Sequence, residues 1–240
     1  MIEVVADAAE LAHRAAARFV ASVRQAIAER GRCVVLLSGG TTPRATFERL
    51  ATPELSQHVD WARLHLAFAD ERCVPATDHR SNYRLVHDTL AAHVPLPEGQ
   101  LHRVLTELPP REAALAYERT LRTLLGADRP DLVFLGLGDD GHTASLFPGH
   151  APVREQVRWV VADELQEQAI WRVTTTPPLL NAAREIVFLV SGAAKADVLH
   201  CVLEPPRDPD SLPAQVIRPV AGRLDWLIDA AAAASIGRKG

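Results

Sequence analysis

The sequence predicts an α/β protein built on a single doubly wound, mostly parallel sheet with helices on both faces, the three-layer arrangement of Rossmann-like folds. The runs CVVLL at 33–37 and DLVFL at 131–135 are almost entirely apolar, as expected of strands that are buried on both faces. Segments with helical periodicity alternate with such runs, which is typical of parallel sheets. A length of 240 residues suits one domain of this class, and we expect residues 1–240 to form it.

The helices follow from the spacing of apolar residues and from the residues that stop a helix. Between residues 7 and 30, apolar side chains recur every four positions from Leu11 to Ile27, and Gly31 ends the segment. Further helices are expected from near Pro43 and over 81–94, 111–125, 195–203 and 224–234. Further strands are expected over 64–69, 158–162, 170–174 and 186–190.

The composition of the chain indicates where the protein is located and which partners it binds. The formal net charge of −4 provides no basic surface for nucleic acid or for an anionic membrane. Three cysteines, Cys33, Cys73 and Cys201, form no CxxC pair, which argues against a disulfide framework or a cysteine-rich zinc site. Because the sequence lacks a signal-peptide pattern and any apolar run near ~20 residues, we expect a cytoplasmic protein. We also expect a monomer or a weak homo-oligomer whose partner is a small molecule.

The loop after the strand at 33–37 has the composition of an anion-binding site. It reads Ser38, Gly39, Gly40 and Thr41, and Pro43 follows at a position that favours the start of a helix. Glycines let the backbone approach a ligand, hydroxyl groups donate hydrogen bonds, and a helix N-terminus attracts negative charge. No GK[ST] follows, so the loop is not a P-loop. A plain βα turn is the alternative, but the hydroxyl groups favour phosphate or oxyanion binding.

Charged residues mark three other strands. Asp70 and Arg72 follow the strand at 64–69, where Arg72 can clamp a phosphate, with a solvated loop as the alternative. Lys195 lies in the first turn of a helix, where a lysine opposes the helix dipole unless an anion is near. Arg172 interrupts a strand and is either exposed at a sheet edge or directed at the substrate. Because ligands of open α/β sheets bind beyond the carboxyl ends of strands, all four are candidate substrate contacts.

The stretch GLGDDGHTAS after the strand at 131–135 is the candidate catalytic turn. Gly136 to Gly141 fits the dinucleotide pattern GxGxxG, but the carboxylates of Asp139 and Asp140 would face a pyrophosphate, and Pro148 breaks the long helix that this motif requires. The turn instead presents His142 beside Asp140, a general base with a carboxylate that can orient it. No metal is expected, because no partner histidine has ligand spacing.

Together, these segments resemble the 6-phosphogluconolactonase family. The matching pieces occur in the family's order from about residue 34 to 234: LSGGTTP, DERCVPATDHRSN, GLGDDGHTASLFPG, RVTTTPPLLNAA, VSGAAKA and RLDWLIDAAAAA. The resemblance implies an α/β domain without a cofactor that hydrolyses 6-phospho-D-glucono-1,5-lactone to 6-phosphogluconate in the oxidative pentose phosphate pathway. It also implies that His142 is the catalytic base and that Arg72 and Lys195 bind the phosphate.

Two alternatives use the same fold. The related glucosamine-6-phosphate deaminases are similar in the glycine loop and the DGH element, but they carry a glutamate a few residues after the histidine, where this sequence has Phe147. A non-catalytic sugar-phosphate sensor usually carries a DNA-binding or output segment, for which neither the length nor the charge leaves room. The sequence contains no GxSxG elbow, so a serine hydrolase is not expected.

Overall fold

The computed structural model describes residues 1–166 and 169–237, in which strands and helices alternate as expected. The strands of this part of the chain are β1 (Ile2–Val5), β2 (Cys33–Leu37), β3 (Leu64–Phe68), β4 (Asp70–Arg72), β5 (Leu101–His102), β6 (Leu132–Leu135), β7 (Val160–Leu165), β8 (Ile170–Thr175), β9 (Glu185–Val190) and β10 (Arg223–Asp229). The helices are α1 (Ala8–Arg30), α2 (Thr41–Leu50), α3 (Pro53–Ser56), α4 (Asn82–Thr89), α5 (Pro110–Leu125), α6 (Pro177–Leu180) and α7 (Ala196–Leu203).

A seven-stranded parallel sheet forms the centre of the molecule, in the order β1-β10-β9-β6-β2-β3-β5. Every residue of β2, β6 and β9 is buried, so both faces of the sheet are covered. From β2 the chain continues to β3 and β5 on one side, then returns to β6 and continues to β9 and β10 on the other. Ligands of open α/β sheets bind where the strand order reverses in this way, here between β2 and β6. The predicted fold class is confirmed.

A second, three-stranded antiparallel sheet, in the order β4-β8-β7, stands beside the main one. The sequence predicted β7 and β8 as strands, but it indicated neither β4 nor the antiparallel pairing. Strand β4 begins two residues after the end of β3, so the small sheet lies at the carboxyl end of the large one. Its register sets Arg72 directly opposite Arg172.

The segment 224–234 is a strand followed by a short turn, so the helix expected there is wrong. Strand β10 lies between β1 and β9, and a 3-10 turn at Ala232–Ser235 comes after it. Trp226, Leu227 and Ile228 are all buried, and the Trp226 ring stacks on Phe188 with centroids 4.0 Å apart. In an interior strand buried on both faces, apolar and polar residues do not alternate along the sequence. When an alanine-rich run follows such a strand, the sequence pattern alone does not distinguish the strand from a helix.

Several element boundaries also differ from those expected. The helix predicted over 81–94 is α4, which ends at Thr89 and is followed by a 3-10 turn at Ala91–His93. Ser81 caps α4 by accepting a hydrogen bond from the amide of Arg84. The short edge strands β1 and β5 were not predicted. Within residues 1–166 and 169–237, the helices lack the length and apolar character needed to cross a lipid bilayer.

Candidate active site

A cavity of about 320 Å³ opens at the carboxyl ends of β2, β6 and β9, beside the switch point of the main sheet. Its wall contains nine of the ten residues proposed from the sequence: Ser38, Gly39, Gly40, Thr41, Asp70, Arg72, His142, Arg172 and Lys195. Asp140, the tenth, is hydrogen-bonded to His142. A larger surface groove of about 1010 Å³, beside β1 and α1, contains none of these residues, so size alone does not locate the site.

The glycine loop presents polar groups to the cavity. Gly40 has φ 114°, a conformation that favours glycine, and among the residues that the structure describes no side chain caps the N-terminus of α2 that follows it. Ser38 Oγ is buried and, within the described residues, has no hydrogen-bond partner. The free amides of a first helical turn and a buried hydroxyl group together suit an anionic ligand. A Cβ at Gly39 would lie 1.9 Å from Asn82 Oδ1, so only glycine fits against the neighbouring helix.

Asp70 organises one side of the cavity. Its carboxylate is buried and accepts hydrogen bonds from Ser145 Oγ at 2.6 Å and from Asn82 Nδ2 at 3.1 Å. Arg172 Nη1 lies 3.8 Å from Asp70 Oδ2. The carboxylate, at the start of β4, therefore ties β8, the start of α4 and the turn after β6 together. Asn82 and Ser145 were not proposed from the sequence, because only the fold brings them to Asp70.

Arg72 and Arg172 form a pair of like charges across two strands. They are register partners in the β4-β8 ladder, and both line the cavity. Like charges directly opposite each other are destabilising unless an anion lies between them or nearby. Burial lowers the pKa of Arg172, Asp70 opposes that effect, and Arg72 adds to it. Arg172 is nine-tenths buried in the middle strand of its sheet, so the edge-exposed alternative is wrong.

Of the Arg72 guanidinium nitrogens, Nη1 is held by a hydrogen bond, whereas Nε has no partner among the described residues. Its Nη1 donates to the carbonyl of Arg80 at 2.6 Å. Its Nε is buried and, in the part of the chain that the structure describes, has no hydrogen-bond partner. A buried guanidinium donor without a partner is costly, and a phosphate oxygen would satisfy it. This geometry fits the anion contact expected of Arg72.

The turn after β6 holds the imidazole of His142 in one orientation. The amide of Gly138 donates to the carbonyl of His142 at 2.8 Å, and a Cβ at Gly138 would lie 2.0 Å from His142 Nδ1. Asp140 Oδ1 lies 2.5 Å from His142 Nδ1. A carboxylate only accepts, so Nδ1 carries the proton and Nε2 of the neutral ring is an acceptor. Burial raises the pKa of Asp140, but its hydrogen bonds with His142 outweigh this effect and lower it below the usual range.

Phe147 packs against the imidazole of His142. The two rings have centroids 4.3 Å apart and an interplanar angle of 33°, and Phe147 is 7% exposed. The guanidinium of Arg172 lies 5.8 Å from the centroid of the same ring. The phenyl ring therefore limits the positions available to His142. The sequence offered no signal for this contact beyond the proximity of the two residues along the chain.

Lys195 lines the cavity and contacts the turn after β6. It is the last residue of a 3-10 turn at Ala193–Lys195 and the N-cap residue of α7. The α-helix therefore begins at Ala196, one residue later than the helix expected over 195–203. Its ammonium group forms an ion pair with Asp139, at the tip of the catalytic turn. Asp229 holds the loop before it by accepting from Ser191 Oγ at 2.5 Å and from the amide of Gly192 at 3.0 Å. The sequence indicated neither Asp139 nor Asp229 as a partner.

Fold and site together define a class of protein. An open α/β domain that carries a glycine-rich loop, one buried and one half-buried arginine and a histidine–carboxylate pair at its switch point has the features of an enzyme. A family model described as glucosamine-6-phosphate isomerases/6-phosphogluconolactonase matches residues 6–226. The chain belongs to this family, which confirms the recognition made from the motifs.

Individual relatives cover nearly the whole chain. A protein named 6-phosphogluconolactonase from Synechocystis sp. is 37% identical over 234 residues, which cover 95% of each chain. The human protein of the same name is 37% identical over 227 residues, covering 89% of this chain and 88% of that one. The solved structure of 6-phosphogluconolactonase from Trypanosoma cruzi superposes with a TM-score of 0.88 at 27% identity, covering 98% of this chain and 96% of that one.

Proposed function

We propose that this chain hydrolyses 6-phospho-D-glucono-1,5-lactone to 6-phospho-D-gluconate, with His142 as the general base that activates water. The observation that carries the proposal is the shared cavity: an anion-binding loop and two arginines line the same wall as a histidine oriented by a carboxylate. The names of the relatives that span the chain support the same reaction. The reaction requires water alone, so the proposal includes no cofactor and no metal.

The substrate's phosphate would occupy the end of the cavity that carries the unsatisfied donors. Ser38 Oγ and Arg72 Nε are buried donors of this kind, and the start of α2 lines the same cavity. Lys195 adds a cation on the wall. Charge-assisted hydrogen bonds to phosphate contribute more to the binding free energy than neutral ones, and they hold the ligand in one orientation. The lactone ring would then face His142.

The proposed chemistry conserves protons at each step. His142 Nε2 takes a proton from water as the water oxygen attacks the carbonyl carbon, and Asp140 stabilises the imidazolium that forms. Arg172, a buried cation on the cavity wall, would balance the negative charge on the carbonyl oxygen. The bond between that carbon and the ring oxygen then breaks, and the leaving oxygen receives the proton from His142. The carboxylic acid product ionises in water and releases one proton.

Both alternative functions fit the site less well. The cavity-lining carboxylates of the described residues are Asp70 and Asp139, and Asp70 is already hydrogen-bonded to Ser145 and Asn82. A deaminase would need a further acid/base group near His142, where the structure has the phenyl ring of Phe147. A sensor would need the phosphate contacts but not the Asp140–His142 pair. We also propose a cytoplasmic monomer or weak homo-oligomer, in keeping with three free cysteines.

The direct test follows acid release after freshly prepared lactone is added, with spontaneous hydrolysis subtracted. We expect the wild-type chain to accelerate hydrolysis and His142→Asn to reduce kcat by about 10²–10⁴-fold, the usual contribution of a general base. Binding of inorganic phosphate should persist in the variant, because His142 is not one of the phosphate contacts. A wild-type chain without acceleration would rule out the function, and near-normal turnover by the variant would rule out the base.

A further inference from the structure

The ion pair between Lys195 and Asp139 links two loops on the wall of the cavity. It joins the loop after β9 to the turn after β6, and both residues line the cavity. The Asp139 side chain is 81% exposed, whereas that of Lys195 is 24% exposed. Asp139 is also the neighbour of Asp140, so a carboxylate that serves no step of the proposed reaction lies beside the catalytic pair.

Asp139 differs from Asp70, the other carboxylate on the wall. Asp70 is buried and accepts hydrogen bonds from Ser145 and Asn82, so its charge is compensated within the fold. Asp139 is exposed, and the cation that compensates it is Lys195. An anionic ligand that binds Lys195 must share the ammonium group with Asp139 or displace it. The carboxylate also repels such a ligand directly, since like charges a few ångströms apart interact unfavourably.

We propose that Asp139 is a specificity-determining residue that competes with the ligand's phosphate for Lys195 and so weakens the retention of anionic product. The inference rests on the proposed function for the role of Lys195 as a phosphate contact. Hydrolysis adds a carboxylate to a ligand that already carries a phosphate, so the product is more anionic than the lactone. Repulsion by Asp139 therefore acts more strongly on the product, and it favours product release.

The expected effect is moderate and depends on salt. Exposed ion pairs contribute little in water, so neutralising Asp139 should tighten anion binding by about two- to fivefold rather than a hundredfold. Salt screens exposed charges over a distance of ~10 Å at 0.1 M and ~3 Å at 1 M. The gain in affinity should therefore shrink as the salt concentration rises. A role of Asp139 in the shape of the turn alone would not depend on salt in this way.

The test measures the Kd of inorganic phosphate and of 6-phosphogluconate by calorimetric titration at low and high salt. In Asp139→Asn we expect both Kd values to fall about two- to fivefold at low salt, more for 6-phosphogluconate than for inorganic phosphate, with a smaller change at 1 M. Asp139→Ser, a second neutral variant, should behave alike. The matched control is Asp60→Asn, which neutralises another exposed aspartate in an ion pair, with Arg63, away from the cavity. The control should leave both Kd values unchanged.

A double-mutant cycle with Lys195→Met shows whether the two residues act together. Competition for the ammonium group predicts that Asp139→Asn gains less affinity when Lys195 is absent. The inference would be overturned if Asp139→Asn gained as much affinity in the Lys195→Met background as in the wild type. It would also be overturned if the single variant Asp139→Asn bound the anions with an unchanged Kd or more weakly. Phosphate binding by Lys195→Met that equals the wild type would overturn it too. Lactone hydrolysis is measured separately, so failure of the proposed reaction would remain distinguishable from all of these outcomes.

Discussion

His142 and Asp140 are joined by two hydrogen bonds to a single oxygen. Oδ1 of Asp140 lies 2.5 Å from Nδ1 of His142 and accepts the backbone amide of the same residue at 3.0 Å. The carboxylate thus both orients the imidazole and closes the turn that carries it. Asp140 therefore contacts both the ring and the backbone of His142.

Replacing Asp140 by asparagine should separate these two roles. An asparagine oxygen can still accept both hydrogen bonds, but the charge that stabilises the imidazolium is lost. We expect kcat for lactone hydrolysis to fall by about 10–10³-fold, less than in His142→Asn, with an unchanged Kd for phosphate. Unchanged kinetics across the pH range would show that Asp140 only closes the turn.

Gly138→Ala should displace the catalytic ring while leaving the anion site intact. The added Cβ would lie 2.0 Å from His142 Nδ1 and 2.2 Å from its Cε1, so the imidazole must move. A small misplacement of a catalytic group costs about 10²-fold in rate, and we expect kcat to fall by that order. Gly136→Ala is the matched control, since in the described part of the chain, its two adjoining residues aside, no atom lies within 4 Å of its Cβ position. Equal kinetics in the two variants would contradict the restraint we assign to Gly138.

Arg72→Ala should weaken recognition of the phosphate in particular. Loss of one charge-assisted contact commonly costs about 1.5–3 kcal/mol, which corresponds to tenfold or more in KM. The measurement compares the phosphorylated lactone with unphosphorylated gluconolactone. We expect kcat/KM to fall on the first substrate and to change little on the second. Arg63→Ala, which removes an exposed arginine away from the cavity, serves as the control. Equal losses on both substrates would show that Arg72 does not bind the phosphate.

The sequence predicted those site residues that directly follow a buried strand. Ser38, Asp70, His142 and Lys195 could be proposed because the carboxyl ends of parallel strands meet at one edge of a sheet. Asn82, Ser145 and Phe147 could not, since their roles depend on contacts between segments. The burial of Arg172 depends on the pairing of β4 with β8, which the sequence did not indicate. The limit is physical: strand periodicity reports burial, whereas site contacts depend on how loops fold against one another.

Errors in the predicted fold have a similar origin. Strand β10 was expected to be a helix because its apolar run lacks alternation and an alanine-rich stretch follows it. What makes it a strand is its place between β1 and β9, which local propensity does not report. Strands β1, β4 and β5 have two to four residues each, too few for any periodicity to be read.

Asp229→Asn should destabilise the loop that carries Lys195. Asp229 accepts from Ser191 Oγ and from the amides of Gly192 and Ala232. Burial raises its pKa, but these hydrogen bonds outweigh burial and lower it below the ordinary value. A carboxyl with a lowered pKa stabilises the fold above its unfolded pKa of about 3.9 and loses that contribution as the pH falls through its folded value.

Denaturant unfolding at several pH values checks this expectation. At pH 7 we expect the variant to be about 1–3 kcal/mol less stable, the usual worth of hydrogen bonds to a charged group. The difference should persist down to about pH 4 and shrink below it, because the wild-type carboxyl then becomes protonated. Asp60→Asn, at an exposed ion pair, should show no comparable difference. A gap between wild type and variant that stays constant below pH 4 would exclude this origin of the stability.

Phe147 separates the two reactions represented in the family. In the related deaminases a glutamate a few residues after the histidine assists proton transfer, and the corresponding place here is occupied by Phe147. Its ring is stacked on His142 and cannot carry a proton. We therefore expect no ammonia from glucosamine 6-phosphate with the purified chain, measured beside a known deaminase as positive control.

Phe147→Glu should not restore deamination. The substitution removes the ring that restrains His142 and places a carboxylate in a site that is 7% exposed, next to the guanidinium of Arg172. A buried carboxylate beside that cation would form an ion pair with it rather than serve as a free acid, because burial disfavours an uncompensated charge. We expect lactone hydrolysis to fall by about tenfold or more, as the base loses its orientation, with ammonia release still absent. Clear ammonia production by the wild-type chain would overturn the proposed reaction, and production by Phe147→Glu alone would show that the family's two chemistries differ by this single position.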